Sequence, residues 1–359
     1  METHTGLTVS KSGVLLRDGK PWRGIGVNVA QILDEDDVEA AFVSLSKHKI
    51  PFVRVFGCEY APWEVKKYHE YKGSYFARYD RLVRIAETYK VGLIPSLFWN
   101  PATVPALVGE RMAQWGDPTS KTRQYMHQYL RDFVGRYKKS PAIWGWEFGN
   151  EYNLVSDLPE ENWWRPDFRA EALKGKAIEA ADQLTFETLC AVCQDFAAEV
   201  RREDPYRIIS TGCSIPRKAA WHLWKEKSWT DDSPRQFEMM LNGPLSTSSC
   251  VISIHAYDED VARIPQAMLS ARRLGRPLFL GEFGVEGVSE KTKRAFQQVL
   301  GLIIREKVPL AALWVFHRAS DEGTWNVTDS NARSYQLKAI AESNQRIRNE
   351  LKLQWPGEW

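Results

Sequence analysis

Two stretches decide how this chain folds: Ile143-Trp144-Gly145-Trp146-Glu147-Phe148-Gly149-Asn150-Glu151 and Pro277-Leu278-Phe279-Leu280-Gly281-Glu282-Phe283-Gly284. Each is an apolar run too short for a helix and apolar on both faces. That pattern marks a strand buried on both sides, as in a parallel sheet covered by helices. Each run also carries a glutamate at or near its carboxyl end. Carboxylates avoid interiors unless paired or hydrogen-bonded, so an acid at the tip of a core strand has a specific partner or a chemical task. Alone, each acid reads equally well as a helix cap or a structural ion pair, since structural networks bury charge too. Two such tips brought into one pocket are the equipment for cleaving a glycosidic bond.

Working outward, six more runs of the same kind recur: Trp22–Val29, Phe52–Gly57, Gly92–Asn100, Arg207–Ser214, Val251–Asp258 and Leu310–His317. Amphipathic segments separate most of them, at Asp37–Lys47, Tyr79–Tyr89, Thr122–Tyr137, Leu184–Arg202, Val261–Leu274 and Lys291–Glu306, and Ser330–Lys352 closes the series. Eight alternating β/α units predict an α/β fold, a (β/α)8 TIM barrel. Ahead of the first unit, Leu7–Val9 and Val14–Leu16 with Asp18-Gly19 read as a hairpin. Residues 1–21 are therefore expected to cover the bottom of the barrel. No linker, repeat or low-complexity stretch divides the chain, so residues 1–359 read as one catalytic domain.

Composition narrows the class. The 359 residues are 43% apolar with a formal net charge of +2, which gives ample core and no basic surface for nucleic acid or membrane. No stretch approaches the roughly 18 consecutive apolar residues of a membrane span. The amino terminus Met1-Glu2-Thr3-His4-Thr5-Gly6 lacks the basic start and apolar core of a signal peptide. This favours the cytoplasm, or secretion if a signal has been removed. Five scattered cysteines, Cys58, Cys190, Cys193, Cys213 and Cys250, form no disulfide framework and fit a reducing compartment. Cys190-Ala-Val-Cys193 has the spacing of a zinc half-site but lies in a helical segment with no second pair, so packing is expected there. Neither a metal nor a cofactor is expected.

The loops after the second to fifth strands are long, spanning about Cys58–Ser74, Pro101–Ser120, Tyr152–Ala181 and Ile215–Ser249. Barrel active sites are built from such loops. They hold Trp63, Trp115, Trp163, Trp164, Trp221, Trp224 and Trp229, and Trp325 stands beyond the last strand. Flat aromatic rings suit the apolar faces of sugars, although some of these must simply cover loops. Trp221 and Trp224, three apart, fit either a packing cluster or a sugar platform.

The carboxyl ends of the eight strands are polar well beyond a random set. They offer Asn28, Arg54, Trp99 with Asn100, Asn150 with Glu151, His255 with Tyr257, Glu282, and Trp314 with His317. His255 and Tyr257 share strand parity and point the same way. Glu147 shares the direction of Glu151 one layer deeper and is expected to be a structural acid bonded inside the barrel.

On these residues the chain resembles the retaining glycoside hydrolases built on (β/α)8 barrels (clan A), and most closely glycoside hydrolase family 5, the cellulase- and mannanase-like enzymes. Trp146-Glu147-Phe148-Gly149-Asn150-Glu151 is similar to the strand-four signature in which Asn precedes the acid/base Glu. His255-Ala256-Tyr257 resembles the strand-six His-x-Tyr pair, and Gly281-Glu282-Phe283-Gly284 the strand-seven nucleophile motif. Trp314 resembles the tryptophan under the sugar, and Arg54 the arginine beside the nucleophile. Where many family members carry His after strand three, this chain has Phe98-Trp99-Asn100.

The resemblance implies Glu282 as nucleophile and Glu151 as acid and then base. Arg54, Asn150, His255, Tyr257, Trp314, Asn100, Trp99 and Asn28 would bind or support. Arg54 and Tyr257 would hold the Glu282 anion, Asn150 would meet the sugar 2-hydroxyl, and His255 would orient Tyr257 or Glu151. Glu151 must be protonated first, and the negative Glu282 together with a ring-walled site is expected to raise its pKa.

The implied function is a retaining β-glycosidase acting on β-linked hexose oligo- or polysaccharides of mannan or glucan type, with carbohydrate as its partner. An exo-acting β-mannosidase, β-glucosidase or β-galactosidase is the alternative, followed by a non-catalytic carbohydrate-binding barrel, which retention of both glutamates disfavours. A metal-dependent hydrolase would need more strand-end ligands than His255 and His317. A serine hydrolase would need a G-x-S-x-G that does not occur.

Overall fold

The computed structural model describes residues 5–29, 38–57, 62–159, 179, 182–247 and 249–352. A small antiparallel sheet comes first, with β1 (Leu7–Val9), β2 (Leu15–Arg17) and β3 (Lys20–Pro21). Eight parallel strands follow: β4 (Gly24–Val29), β5 (Phe52–Phe56), β6 (Gly92–Phe98), β7 (Gly145–Gly149), β8 (Ile208–Ser210), β9 (Ile252–Ala256), β10 (Leu278–Phe283) and β11 (Leu310–Leu313). Their order is β8-β7-β6-β5-β4-β11-β10-β9, and a parallel bridge between Ile209 and Cys250 joins the two ends. The eight-unit barrel read from the sequence is the architecture found, with helices packed around it.

Alternation along the strands sorts side chains into two cores. Val27, Val53, Leu93, Ile209, Ile254, Leu280 and Leu313 face outward and join the helices in the larger core. Phe52, Ile94, Ile208, Phe279, Leu310 and Ala312 face inward at the amino-terminal end, together with Trp144. Leu7, Leu15 and Trp22 from the hairpin segment close that end, and the Leu7 amide donates to the Trp144 carbonyl at 2.9 Å. The hairpin therefore plugs the bottom, as its position in the sequence implied.

Three differences from the sequence expectation have local causes. The third helix spans Lys72–Tyr89 and starts well before Tyr79, because Tyr75, Phe76 and Tyr79 bury on the same face as Leu82 and Val83. The stretch expected as strand Arg207–Ser214 pairs only over Ile208–Ser210. It stops at Gly212, whose φ of +68° leaves the extended region. The long loops after β6 and β8 contain helices at Thr103–Leu107, Ala220–Glu226 and Pro234–Asn242, the last with a Ser233/Gln236 capping box. Cys190 and Cys193 lie on the helix Phe186–Glu203, where Cys193 is packed in the larger core and burial pushes the Cys190 thiol up to about 12. Cys58 and the side chains of Trp63, Trp163 and Trp164 lie outside the described residues. No described helix is long and apolar enough to cross a membrane.

Before β4 reaches its register with β5, one side of its backbone lacks a strand partner. Asn344, buried on the helix Tyr335–Leu351, fills the gap by accepting from the Ile25 amide at 2.8 Å and donating to the Ile25 carbonyl at 2.9 Å. The side chain acts as a one-residue strand that ties the last helix to the first barrel strand. Asn344→Ala leaves both backbone groups buried and unpaired, and is expected to cost about 2–4 kcal/mol in urea unfolding. A loss below about 0.5 kcal/mol would show that water replaces the amide fully.

Candidate active site

The inward face of the barrel changes character one layer above the apolar plug. Where barrels of this kind carry Val, Ile and Leu, this chain buries Asn28, Arg54, Ser96, Glu147 and Ser210. Strand register sets the neighbours: Asn28 lies beside Arg54, Ser96 beside Glu147, and Glu147 beside Ser210. The Arg54 guanidinium is the hub. Its Nε donates to Glu147 Oε1 at 2.6 Å, its Nη1 to Glu282 Oε1 at 2.7 Å and to Asn28 Oδ1 at 3.0 Å, and its Nη2 to Asn150 Oδ1 at 2.8 Å. Burial works to lower its proton affinity, but Glu147 and then Glu282 outweigh that and hold Arg54 above the ordinary arginine value.

Above this layer the two expected carboxylates meet. An oxygen of Glu151 and one of Glu282 lie within 4.8 Å of each other and of a His255 ring nitrogen. Each carboxylate reaches the mouth through a departure from regular backbone. In β10, Phe279 faces in and Leu280 faces out, so strict alternation would send Glu282 outward. The register against β9 slips between Leu280 and Glu282, leaving Gly281 as a bulge. Glu282 therefore faces inward, and Phe283 outward onto Phe296. Glu151 sits just past β7 with φ +54° and ψ +28°, a left-handed conformation uncommon outside glycine. Its amide donates to the Gly212 carbonyl at 2.8 Å. A Cβ on Gly212 would lie 1.8 Å from the Gly149 carbonyl oxygen, so only glycine lets the two chains approach there.

The environments of the two acids differ. Glu282 is 6% exposed and has both oxygens bonded, one to Arg54 and the other to the Tyr257 hydroxyl at 2.8 Å. Glu151 is 29% exposed and meets His255 Nδ1 at 3.0 Å. Burial pushes its carboxyl above the ordinary glutamate value, against the pull of Arg54, the Ser214 hydroxyl and Arg217. Burial, rather than the expected charge of Glu282, leads that shift. Burial likewise lowers the His255 imidazole to about 4, so the ring is neutral near pH 7, and raises the Tyr257 phenol well above its usual value.

The remaining expected residues divide. Trp99 and Trp314 come together with ring centroids 6.1 Å apart and planes 24° from parallel, and the Arg54 guanidinium lies 4.5 Å from the Trp99 ring. The Trp314–Val315 peptide is cis. Asn28 spends its amide on the Gly281 carbonyl, and Asn100 accepts from the Ala102 amide, so both hold backbone at the mouth. Glu147 is fully buried between Arg54 and Ser210. Of the loop tryptophans, Trp115 is core, donating to the Pro101 carbonyl, and Trp224 packs on Phe186. Trp325 meets the Tyr257 ring edge-on at 5.3 Å.

Ser210, Ser214, Arg217 and the Gly281 bulge were not singled out in the sequence. The inward parity of Ser210 opposite Glu147 is the signal that would have found it. Glu151, His255 and Glu282 could also offer ligands to a cation, and of the three Glu282 is already paired with the Arg54 guanidinium. At His127, Asp195 and Glu199, Arg123 fills the same role on Asp195.

A methyl on Gly281 would lie 2.8 Å from His255 Nε2, inside a fully buried ring site. Gly281→Ala is therefore expected to move the imidazole off Glu151 and to cut glycoside turnover by about 10²-fold with little change in melting temperature. Unchanged turnover would show that the bulge has room to spare.

Residues 32–320 match the family model for cellulase, glycosyl hydrolase family 5. No curated protein matches the chain. Solved structures of similar fold include an endo-1,4-β-mannanase from Rhizomucor miehei, with TM-score 0.71 at 14% identity over 96% of this chain and 100% of the other. A family 5 mannosidase from the same organism has TM-score 0.66 at 12% identity, over 98% and 100%. The catalytic domain of an endoglucanase from Thermobifida fusca has TM-score 0.57 at 13% identity, over 96% and 97%. With the family model spanning most of its length, this chain belongs to glycosyl hydrolase family 5.

Proposed function

We propose that the chain is a retaining β-glycoside hydrolase acting on β-linked mannan or glucan. Glu282 is the nucleophile and Glu151 the acid, then the base. The observation that carries this reading is the approach of the two carboxylates to within 4.8 Å. Retaining enzymes hold their carboxyls about 5–5.5 Å apart, whereas inverting ones leave about 6.5–9.5 Å for a water. The mannanase, mannosidase and endoglucanase names of the similar structures support the substrate class.

In the first step a Glu282 oxygen attacks the anomeric carbon, the glycosidic C–O bond breaks, and the departing oxygen takes the proton of Glu151. In the second, water gives a proton to Glu151 and attacks the anomeric carbon, and the ester bond to Glu282 breaks. Arg54 and Tyr257 hold the anion at the start and end of this cycle. His255, neutral and bonded to Glu151, fixes the orientation of the acid without competing for its proton. Asn150 already accepts from Arg54 with its oxygen, so the amide nitrogen is what it has to offer the sugar 2-hydroxyl. Trp314 and Trp99 supply the aromatic wall.

The raised proton affinity of Glu151 keeps its acid form to higher pH than an ordinary glutamate, so the alkaline limb of turnover should lie above the usual carboxylate range. The acidic limb should follow protonation of the nucleophile, with both limbs belonging to the coupled pair. Glu151→Gln should flatten the alkaline limb. It should slow substrates with poor leaving groups by about 10²–10⁴-fold, while activated aryl glycosides lose far less. Equal losses on both substrate kinds would remove Glu151 from the donor role.

Retention through a carboxylate requires a covalent ester. A 2-fluoro mannoside or glucoside with a good leaving group should form it quickly and release it slowly, because fluorine destabilises the cationic transition state. Mass spectrometry should find one added sugar on the peptide around Leu280–Val285, and Glu282→Ala should abolish it. A label elsewhere overturns the assignment.

A further inference from the structure

We propose that Glu147 is a positioning residue whose charge divides Arg54 between two carboxylates and so sets how strongly the nucleophile is held as an anion. The inference rests on the reading of Glu282 as nucleophile. Arg54 brings one positive charge into the buried layer, and both Glu147 and Glu282 bond to it, at 2.6 and 2.7 Å. Glu147 is the stronger claimant: it meets Nε, lies wholly out of water, and has its other oxygen fixed by the Ser210 hydroxyl at 2.9 Å. Among the forces on Arg54, Glu147 stands ahead of Glu282.

A fully buried acid on this arginine is not needed to hold it in place. Asn28 and Asn150 already fix Nη1 and Nη2 with neutral acceptors, and a glutamine would satisfy Nε equally well. What a carboxylate adds is charge. Among the described residues, the groups facing Glu282 are Arg54 on β5, His255 on β9, Tyr257 just past it, and Glu151 past β7, with Asn28 on β4 reaching it through Arg54. Neutral His255 and Tyr257 leave Arg54 as the one full positive charge among them. With a carboxylate at 147, that charge is shared between two acceptors rather than given to Glu282 alone.

Glu147→Gln keeps the shape and removes the charge. Arg54 then serves Glu282 alone, and the two half-reactions should respond in opposite senses. The better-held anion attacks less readily, so the 2-fluoro ester forms about tenfold more slowly. It also leaves more readily, so the ester is released several-fold faster. The acidic limb of kcat/KM should move down by about one pH unit. Ser210→Ala, which removes a neutral contact and keeps the charge, should leave that limb in place.

A merely structural role would slow both half-reactions and leave the limb fixed, and that result overturns the proposal. Melting curves of Glu147→Gln with the labelled mass of Glu282 separate the cases. If the variant melts early, Glu147→Asp, which keeps the charge, must restore the limb even where it does not restore rate. If wild-type Glu282 never takes the label, it is the nucleophile assignment that fails.

Discussion

One guanidinium, buried to the last per cent, ties the top half of this barrel together. Arg54 on β5 bonds directly to residues on or just past β4, β7 and β10, so the positions of Glu147, Asn150 and Glu282 are set by a single rigid fork. Burying such a group is costly unless every donor is met. Breaking one partner of a buried ion pair commonly costs about 3–5 kcal/mol. The sequence meets that demand with two carboxylates and two amides, Asn28 and Glu147 by strand register, Glu282 through the bulge in β10, and Asn150 just past β7. The same contacts that make the buried charge tolerable bring the nucleophile candidate to a fixed place, so stability and chemistry draw on one network.

Around that fork the backbone departs from regularity at just the places where the carboxylates must be aimed. Glycine at 281 lets β10 carry an extra residue and makes room for the His255 ring, and the bulge turns Glu282 inward. Glycine at 212 lets the chain after β8 come within bonding distance of the Glu151 amide, which holds Glu151 in a left-handed conformation. Backbone of this kind persists only where surrounding contacts over-determine it. The two acids are consequently asymmetric. One has both oxygens held by donors, while the other is half-sheltered, with a neutral imidazole as its main neighbour. The second environment, led by burial, is the one that raises a carboxyl's hold on its proton.

Much of this was legible in the sequence. Eight short apolar runs, several of them apolar on both faces, point to the barrel, and polar residues at their ends collect into one mouth because parallel strands share a direction. Glu151, Glu282, Arg54, Asn150, His255, Tyr257, Trp99 and Trp314 could all be named from strand ends alone. What stayed hidden depends on register and tertiary approach. The bulge at Gly281 shifts parity without any change in hydrophobic pattern. Ser210 looks like an ordinary strand residue until β8 is set against β7. Trp115, one of several loop tryptophans in the sequence, proves to be core, and Trp224, which fitted a packing cluster or a sugar platform equally, packs its ring on Phe186. The long loop after β8 hides two short helices and Arg217, because seven- and nine-residue helices leave only a weak periodic signal.

The division of labour along the barrel axis explains how so polar an interior is tolerated. Below Arg54, Phe52, Trp144, Ile208, Phe279 and Leu310 fill the barrel, and Leu7, Leu15 and Trp22 cap it. Outside, the larger apolar core joins strands to helices. Those two cores carry the hydrophobic stabilisation, which frees the upper interior from having to be apolar. A charged layer placed lower would sit against the plug with no way to open toward solvent. Placed higher, it would be screened by water and would lose its hold on the nucleophile candidate. The middle layer is where a single arginine is dry enough to be strongly felt and near enough to the mouth to reach Glu282.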